Sequence, residues 1–334
     1  MAPNSSKSSG GGSKPKPDEK GESATASVKG NGRQVSGAPP ASGPRITLTG
    51  AQQTNLSTLC ARAQDAKSAK PLLNDKWALH VLEQVPGYDF TGVMPGAFAA
   101  AAVVTRALTL DCWAASFLER HPRATVIHLA CGLDSRCLRL RWGGNGTSAV
   151  DKPGTAAKGA SNANVSAALA LRAGVDYRLV AASAADEGWL ADVPADRPTL
   201  VIMEGLTMYL AEKDGVALLR RLLRRFPSGS LIFDCLGSVT VRCQGLFGLL
   251  RHTGATFAWA IDCPRTLELL DERLRLIESV GPLGMMAGTV ESEMMPATVR
   301  WVCRGLGYVP YLHVLADHVM RDILAPGDIV RFAF

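Results

Sequence analysis

The feature that most constrains the fold is a short apolar run followed at once by a turn of small residues. Residues 126–129 read Val-Ile-His-Leu, and the chain continues through Ala130, Cys131 and Gly132. An apolar run of this length that ends in a tight turn is typical of a buried strand. It follows a predicted amphipathic helix over residues 106–120. The segment therefore predicts a helix, then a buried strand, then a turn into the next helix.

The same alternation continues along the chain. Strand-like runs cover residues 176–181, 199–203 and 230–233, and helical periodicity covers residues 51–69, 212–226 and 264–280. Strands that alternate with helices predict an α/β fold of the Rossmann-like type, with a mostly parallel sheet and helices on both faces. Ligands of such sheets bind beyond the carboxyl ends of the strands. Residues 143–170 resemble an inserted surface loop, in which Val150-Asp151 is embedded.

Composition divides the 334 residues into two parts. Residues 1–45 are rich in Ser, Gly, Pro and Lys and offer almost nothing to a core, so we expect a disordered, low-complexity tail there. Residues 46–334 have the size of one elaborated domain. The tail holds seven basic and three acidic residues, and thus +4 of the net charge of +6. The nearly neutral remainder gives no reason to expect nucleic-acid binding.

We expect a cytoplasmic protein that neither enters a membrane nor binds a metal. The N-terminal segment lacks the apolar core of a signal peptide, and the most apolar run, residues 93–104, is too short to span a bilayer. The eight cysteines form no C-x-x-C pair and lie mostly in apolar segments. Reduced, buried thiols are the expectation, rather than zinc ligands.

The turn after the first strand favours a nucleoside ligand that lacks phosphates. Dinucleotide-binding turns follow G-x-G-x-x-G, so that pyrophosphate can approach the backbone at a helix N-terminus. Ala130 and Ser135 replace the first and third of these glycines, and Gly132 is retained. Asp134 would repel a phosphate, whereas a cationic nucleoside would tolerate it. A plain connection between a strand and a helix would explain the turn equally well.

Three charged residues could hold such a nucleoside. Asp151 follows Gly132 by 19 positions, near the spacing at which an acid after the second strand binds a ribose diol, although it could also be a solvated loop acid. Glu204 ends the apolar strand 199–203 and should reach the cleft, because a charge at the end of a buried strand needs a partner. Arg106 could bind a carboxylate through two N–H groups, or lie on the surface.

Several further motifs occur in a fixed order. They are L-C-A-R-A at 59–63, Y-D-F at 88–90, the stretch 126–136, V-D-K-P at 150–153, W-L at 189–190, M-E-G-L-T-M-Y-L at 203–210 and T-G-A-T-F-A-W at 253–259. With these motifs, roughly residues 48–280 resemble the leucine carboxyl methyltransferase superfamily. Within it, they resemble the branch that is similar to the tetracenomycin polyketide O-methyltransferase.

The resemblance implies a class I methyltransferase that uses S-adenosyl-L-methionine. The cofactor-binding residues that it implies are Arg106, Ala130, Gly132, Asp134, Asp151, Ser183, Ala184 and Glu204. Arg106 would hold the methionine carboxylate, Asp151 the ribose, and Glu204 would lie near the methionine ammonium. Ser183 and Ala184 occupy the place where relatives offer an acid and its neighbour to the adenine.

The expected activity is O-methylation of a small molecule. Methyl transfer from a sulfonium is an in-line displacement, so the protein mainly aligns the acceptor and excludes water. A carboxylate acceptor is ionised at pH 7 and needs no base. An acidic hydroxyl would benefit from a base, for which Tyr209 and His252 are the candidates, with His128 as a third. The resembled branch implies a polyketide-like acceptor in a closed apolar pocket. Met203, Met208, Phe257 and Trp259 could contribute to its lining.

Other functions stay open at this point. A non-catalytic binding protein with the methyltransferase fold would lose cofactor residues, and Ala130, Ser183 and the insertion at 143–170 favour it. A protein C-terminal carboxyl methyltransferase would need an open cleft with donors for peptide groups, and no basic cluster for a terminal carboxylate is evident. A nicotinamide-dependent reductase would need three glycines and a pair such as Tyr-x-x-x-Lys, which the sequence does not show.

Overall fold

The computed structural model describes residues 50–83, 90–140, 147–152, 175–186, 188–281 and 327–334, together with residues 284, 285, 297 and 301. The predicted tail at 1–45 lies outside the described residues, as does most of the predicted insertion at 143–170. Within that insertion, the described stretch 147–152 is a strand. The division into a tail and one domain therefore stays a prediction.

Seven strands form one sheet. They are β1 (Thr125–Leu129), β2 (Thr147–Lys152), β3 (Val175–Leu179), β4 (Thr199–Met203), β5 (Gly229–Cys235), β6 (Arg275–Val280) and β7 (Asp328–Ala333). Their order is β3-β2-β1-β4-β5-β7-β6. The pairs among β1 to β5 are parallel, and β7 pairs antiparallel with both β5 and β6. The predicted mostly parallel sheet is confirmed.

The described chain also contains seven α-helical segments. They are α1 (Ala51–Lys67), α2 (Lys76–Glu83), α3 (Ala97–Arg120), α4 (Arg136–Arg139), α5 (Glu212–Arg225), α6 (Ser238–Arg242) and α7 (Gly248–Thr253). Four 3-10 segments cover Gly188–Leu190, Thr207–Tyr209, Gln244–Leu246 and Pro264–Leu270.

Apolar side chains alternate along the central strands, so that each face of the sheet is covered. On β4, Leu200 and Ile202 pack on one face in a cluster that includes Leu110 of α3. Val201 and Met203 pack on the opposite face in a cluster that includes leucines of α5. Because side chains of a strand point alternately to its two faces, this pattern confirms that helices cover both faces.

The helix α3 is longer than the sequence predicted, since it begins at Ala97 rather than at Arg106. By length and composition alone it could cross a membrane, but half of its most apolar window is buried within the protein. Its Arg106 and Asp111 form ion pairs with residues of other elements. These are the properties of a core helix.

Two expectations need correction. The helix predicted over residues 264–280 is wrong, because a 3-10 segment ends at Leu270 and Arg275–Val280 forms β6. The strand β6 lies at the edge of the sheet and exposes its charged side chains. Its apolar residues have the spacing of a helix, but pairing with β7, which is distant in sequence, makes the segment a strand. Seven cysteines are described and all are free, but Cys112, Cys243 and Cys263 are exposed rather than buried.

The turn after β1 takes a left-handed backbone conformation at two positions. Ala130 has a φ of 52° and Gly132 a φ of 51°. Glycine adopts this conformation readily, whereas a Cβ makes it unfavourable by roughly 1–2 kcal/mol. A Cβ added to Gly132 would also approach the side-chain amide of Asn55 to 2.9 Å. The turn therefore stores strain at Ala130 and depends on glycine at position 132.

We predict that Ala130→Gly stabilises the protein by about 0.5–1 kcal/mol, because the relief of strain exceeds the entropy that glycine adds to the unfolded chain. Gly132→Ala, the matched control, should destabilise by at least 1–2 kcal/mol. Urea unfolding measures both changes in stability, provided that the slope of the unfolding free energy against urea concentration is the same in all three proteins. If Ala130→Gly unfolds at a lower urea concentration than the parent protein, the strain assigned to Ala130 is wrong.

Candidate active site

A cavity of about 250 Å³ opens at the carboxyl edge of the sheet. The segments that follow β1, β4 and β5 line its inner wall, and residues of α1, α3 and α7 line the remainder. This is where open α/β sheets bind ligands. One part of the lining is charged, and another part is apolar and aromatic.

Asp134 forms the centre of the charged part. Its carboxylate accepts hydrogen bonds from Arg136 at 2.7 Å, from Arg62 at 3.0 Å and from Arg139 at 3.1 Å. Arg62 also donates to the carbonyl oxygen of Leu133 at 2.8 Å, which fastens α1 onto the turn after β1. Burial alone would raise the pKa of Asp134, but the surrounding guanidiniums hold it well below its ordinary value.

Arg136 connects the turn to two other elements. Its side chain is 1% exposed, and its Nε donates to Asp111 on α3. Its Nη2 donates to Glu204 Oε2 at 2.6 Å, directly beyond the end of β4. Since Arg136 also binds Asp134, one guanidinium joins α3, the turn after β1 and the end of β4.

Arg106 lies between two acids at the carboxyl ends of neighbouring strands, Glu204 directly after β4 and Asp234 near the end of β5. Its Nε and Nη2 donate to Glu204 Oε1 at 3.1 and 2.9 Å, and its Nη1 donates to Asp234 Oδ2 at 2.8 Å. Asp234 Oδ1 in turn accepts the backbone N–H of Gly205 at 2.6 Å. Because Gly205 has a φ of 63°, this bond fixes a left-handed turn after β4. The network therefore shapes the backbone as well as the charges of the cavity.

The two acids beside Arg106 have opposite pKa shifts. Burial raises the pKa of Glu204, but Arg106 and Arg136 outweigh it and lower the value to about 2. Burial also raises the pKa of Asp234, and Arg106 offsets that effect only in part, so the value stays above its ordinary range. Glu204 is thus strongly stabilised as an anion, whereas the charge on Asp234 is only partly compensated.

The apolar part of the cavity is built around two rings. Those of Tyr209 and Phe257 lie 5.4 Å apart, and the Tyr209 hydroxyl donates to Thr54 Oγ1 at 3.2 Å. Gln244 fixes the position of Phe257 by accepting its backbone N–H at 2.7 Å and donating to its carbonyl oxygen at 3.1 Å. Burial raises the pKa of Tyr209, so the hydroxyl stays protonated at neutral pH.

The structure brings together most of the residues that the sequence predicted for the site. Those that line the cavity are Arg106, Ala130, Asp134, Glu204 and Tyr209, together with His128. Gly132 lies in the same turn as Ala130. Asp151 pairs through its backbone with His128, near the carboxyl end of β2. Its predicted role at a ribose stays a prediction.

Three predicted residues lie away from the cavity lining. Ser183 and Ala184 follow β3, where Ser183 N–H donates to Asp186, and the carbonyl of Ala184 accepts from Arg221. His252 is exposed on α7, with its ring against Gly92. From this part of the chain, Leu249 and Phe257 reach the cavity instead. His252 is therefore not among the described residues that line the cavity, and its role as a catalytic base stays a prediction.

Sequence reasoning missed most of the charged network. The residues to which it gave no role are Arg62, Asp75, Asp111, Arg136, Arg139 and Asp234. Asp234 could have been found, because it directly follows the apolar run 230–233, just as Glu204 follows the run 199–203. Arg62, Asp75 and Asp111 are distant in sequence from Arg136 and Arg139, and no spacing predicts that these segments meet.

Comparisons with known proteins give one family and two sequence relatives. The profile of a family described as Leucine carboxyl methyltransferase matches residues 55–223. The tetracenomycin polyketide synthesis O-methyltransferase TcmP of Streptomyces glaucescens is 38% identical over 284 residues, which are 84% of this chain and 98% of that protein. The S-adenosyl-L-methionine-dependent methyltransferase dpfgK of Gibberella zeae is 40% identical over 248 residues, 67% of this chain and 80% of that protein. A solved geranyl diphosphate C-methyltransferase from Streptomyces coelicolor A3(2) is 14% identical, with a TM-score of 0.41, over 88% of this chain and 99% of that chain.

We predict that the free energy of unfolding of Glu204→Gln falls less steeply than that of the parent as the pH is lowered from 7. The pKa of Glu204 is about 2 in the folded protein, against an ordinary value of 4.5. The ionised carboxylate therefore stabilises the fold above pH 4.5, and this stabilisation is lost as the pH falls towards 2. Urea unfolding from pH 7 downwards should show Glu204→Gln less stable than the parent at neutral pH, with a gap that narrows in acid.

The exposed Glu272→Gln is the matched control and should follow the parent at every pH. Parallel curves for Glu204→Gln and the parent would show that Glu204 is not held as an anion by the two arginines.

Proposed function

The chain belongs to the leucine carboxyl methyltransferase family and is an S-adenosyl-L-methionine-dependent methyltransferase; on that premise we propose that it is an O-methyltransferase of small molecules. The acceptor group is a carboxylate or an acidic hydroxyl, carried on a polyketide-like compound. The observation that supports this acceptor is the division of one cavity into a charged part and an apolar, aromatic part.

The charged part fits the cofactor electrostatically. Among the described residues, the network contains four arginines and five carboxylates, which are Arg62, Arg106, Arg136 and Arg139 with Asp75, Asp111, Asp134, Glu204 and Asp234. With all of them ionised, the network carries one net negative charge. At pH 7 the cofactor has a sulfonium, an ammonium and a carboxylate, and so one net positive charge. The two are complementary, and the guanidinium of Arg106 offers donors for the carboxylate.

The protein's contribution to the reaction is position and exclusion of water. When bound, the cofactor supplies a methyl group that its sulfonium has already activated. Arg106 would hold the carboxylate of the cofactor, and the turn at Ala130 and Gly132 would contact its nucleoside. The buried ion pairs hold these groups in place before the ligand arrives, so little reorganisation is needed at the moment of transfer.

The apolar part suits an acceptor with a ring system. Tyr209 and Phe257 present faces for stacking, and Leu236 and Leu249 complete an apolar surface. A carboxylate acceptor is ionised at pH 7 and needs no base. The raised pKa of Tyr209, and the hydrogen bond that its hydroxyl already donates to Thr54 Oγ1, make this residue a poor base for the acceptor.

A protein tail is a poorer acceptor for this cavity. An extended peptide needs hydrogen-bond partners for its backbone along an open cleft, and a terminal carboxylate needs a cationic partner. In the described lining, Arg62 pairs with Asp134, and the remaining donors of Arg106 are assigned here to the cofactor carboxylate. We therefore favour the small-molecule acceptor.

Incubation with methyl-labelled cofactor tests the proposal. We expect label on members of a pool of aromatic, polyketide-like acids and phenols, and none on the C-terminal carboxylate of a phosphatase catalytic subunit. Arg106→Met should weaken binding of S-adenosylhomocysteine at least tenfold and reduce labelling, because it removes a charge-assisted clamp. Arg265→Met, an exposed arginine, is the matched control and should label as the parent does.

Base-labile label on the phosphatase tail alone would overturn the small-molecule acceptor and leave the methyltransferase activity standing. A folded parent protein that binds no S-adenosylhomocysteine at millimolar concentration would instead support a non-catalytic binding protein.

A further inference from the structure

Three aromatic side chains meet at the apolar part of the cavity, and one of them lies outside it. The ring centroids of Phe257 and Tyr209 are 5.4 Å apart, and those of Phe257 and Phe247 are 6.4 Å apart. Tyr209 and Phe257 line the cavity. Phe247 is not among the described lining residues, and it is 44% exposed. The aromatic surface therefore continues from the cavity wall onto the outside of the protein.

Gln244 fixes two of these rings relative to each other. Its side-chain amide forms two hydrogen bonds with the backbone of Phe257. Its own carbonyl oxygen accepts the backbone N–H of Phe247 at 3.0 Å. One residue thus holds the inner and the outer ring in a fixed arrangement. A surface that is ordered before its ligand arrives loses less conformational entropy on binding.

Further apolar side chains are exposed beside the cavity. Within three positions of a residue that lines it are four exposed large apolar residues, Met94, Phe98, Leu246 and Phe247. Exposed apolar groups that occur together are typical of binding sites. Phe247 connects this outer surface with the cavity, through the contact between its ring and that of Phe257.

The cavity has room for only part of a large acceptor. Its volume is about 250 Å³, whereas a pocket for a single drug-sized ligand has roughly 300–1,000 Å³. Under the proposed function the cofactor occupies part of this volume, so only the reacting end of the acceptor fits beside it. The remainder of a large acceptor has to lie outside, where Phe247 is exposed.

We propose that Phe247 is a specificity-determining residue, which binds the part of the acceptor that extends out of the cavity and so favours acceptors with several rings. This inference rests on the proposed function. The reacting group lies inside the cavity, and the ring that carries it contacts Tyr209 and Phe257. A further fused ring reaches Phe247, where apolar surface of both partners is removed from water. Phe247 thereby contributes to the binding of the acceptor and not to that of the cofactor.

Calorimetry with two acids tests the proposal, in the presence of saturating S-adenosylhomocysteine, which has no methyl group to transfer. The acids are benzoic acid and an anthraquinone carboxylic acid, which has three fused rings. The parent protein should bind the larger acid at least tenfold more tightly, because its additional rings bury apolar surface. In Phe247→Ala we expect this preference to fall about three- to tenfold, while the affinity for benzoic acid stays unchanged.

Two further variants separate a contact with the acceptor from a structural effect. Phe247→Tyr keeps the ring and should keep the preference of the parent. Leu269→Ala is the matched control, because it removes an exposed apolar side chain that is not among the described lining residues, and it should bind both acids as the parent does. All three variants should bind S-adenosylhomocysteine as tightly as the parent.

An unchanged preference in Phe247→Ala overturns the proposal, and so does an equal loss of affinity for both acids. A parent protein that binds the two acids equally well has no site for the outer rings, which overturns it as well. A parent protein that binds S-adenosylhomocysteine but neither acid contradicts the small-molecule acceptor of the proposed function, and the role of Phe247 fails with it.

Discussion

The buried guanidinium of Arg136 joins three parts of the chain that together form the site. It binds Asp111 on α3, Asp134 in the turn after β1, and Glu204 after β4. A buried ion pair adds little net stability compared with apolar packing, because desolvation offsets the attraction. Its loss has a large cost, however, since it leaves buried carboxylates without a partner. Arg136 thus fixes the relative positions of these three parts more than it adds to the overall stability.

The same network explains how one cavity serves two purposes. Its charged part is fixed by bonds between protein groups, so under the proposed function the cofactor would meet charges that are already oriented. Its apolar part is held by backbone contacts, such as those of Gln244 with Phe257.

The sequence predicted the strands β1, β3, β4 and β5 and part of the site for clear physical reasons, whereas β2 lies in the segment that was predicted to be a surface loop. Buried parallel strands are continuous apolar runs, and a charge at the end of such a run, as at Glu204, has to reach a polar site. Arg106 was predicted less directly, through the family resemblance. The strand β6 was missed because its apolar residues have the spacing of a helix, and its partner β7 is distant in sequence.

His252 and the arginine network show a second limit of sequence reasoning. A histidine near a matched motif suggests a base, but only the path of the backbone decides whether its ring reaches the cavity. Asp75, Asp111 and Arg139 come from three separate segments and meet only in the folded protein. Asp234, by contrast, is a charged residue near the end of a buried apolar strand, as Glu204 is. The reasoning that predicted Glu204 after β4 would therefore have found Asp234 on β5.

The free energy of unfolding of Arg136→Met tests the central role of this guanidinium most directly, with Arg136→Lys as the charge-conserving comparison. We expect Arg136→Met to lose about 3–5 kcal/mol, because three buried carboxylates lose a shared partner. Arg136→Lys should recover only part of this loss, since an ammonium cannot reproduce the planar fork of donors. A loss below about 1 kcal/mol in Arg136→Met, the level of an exposed ion pair, would contradict the account.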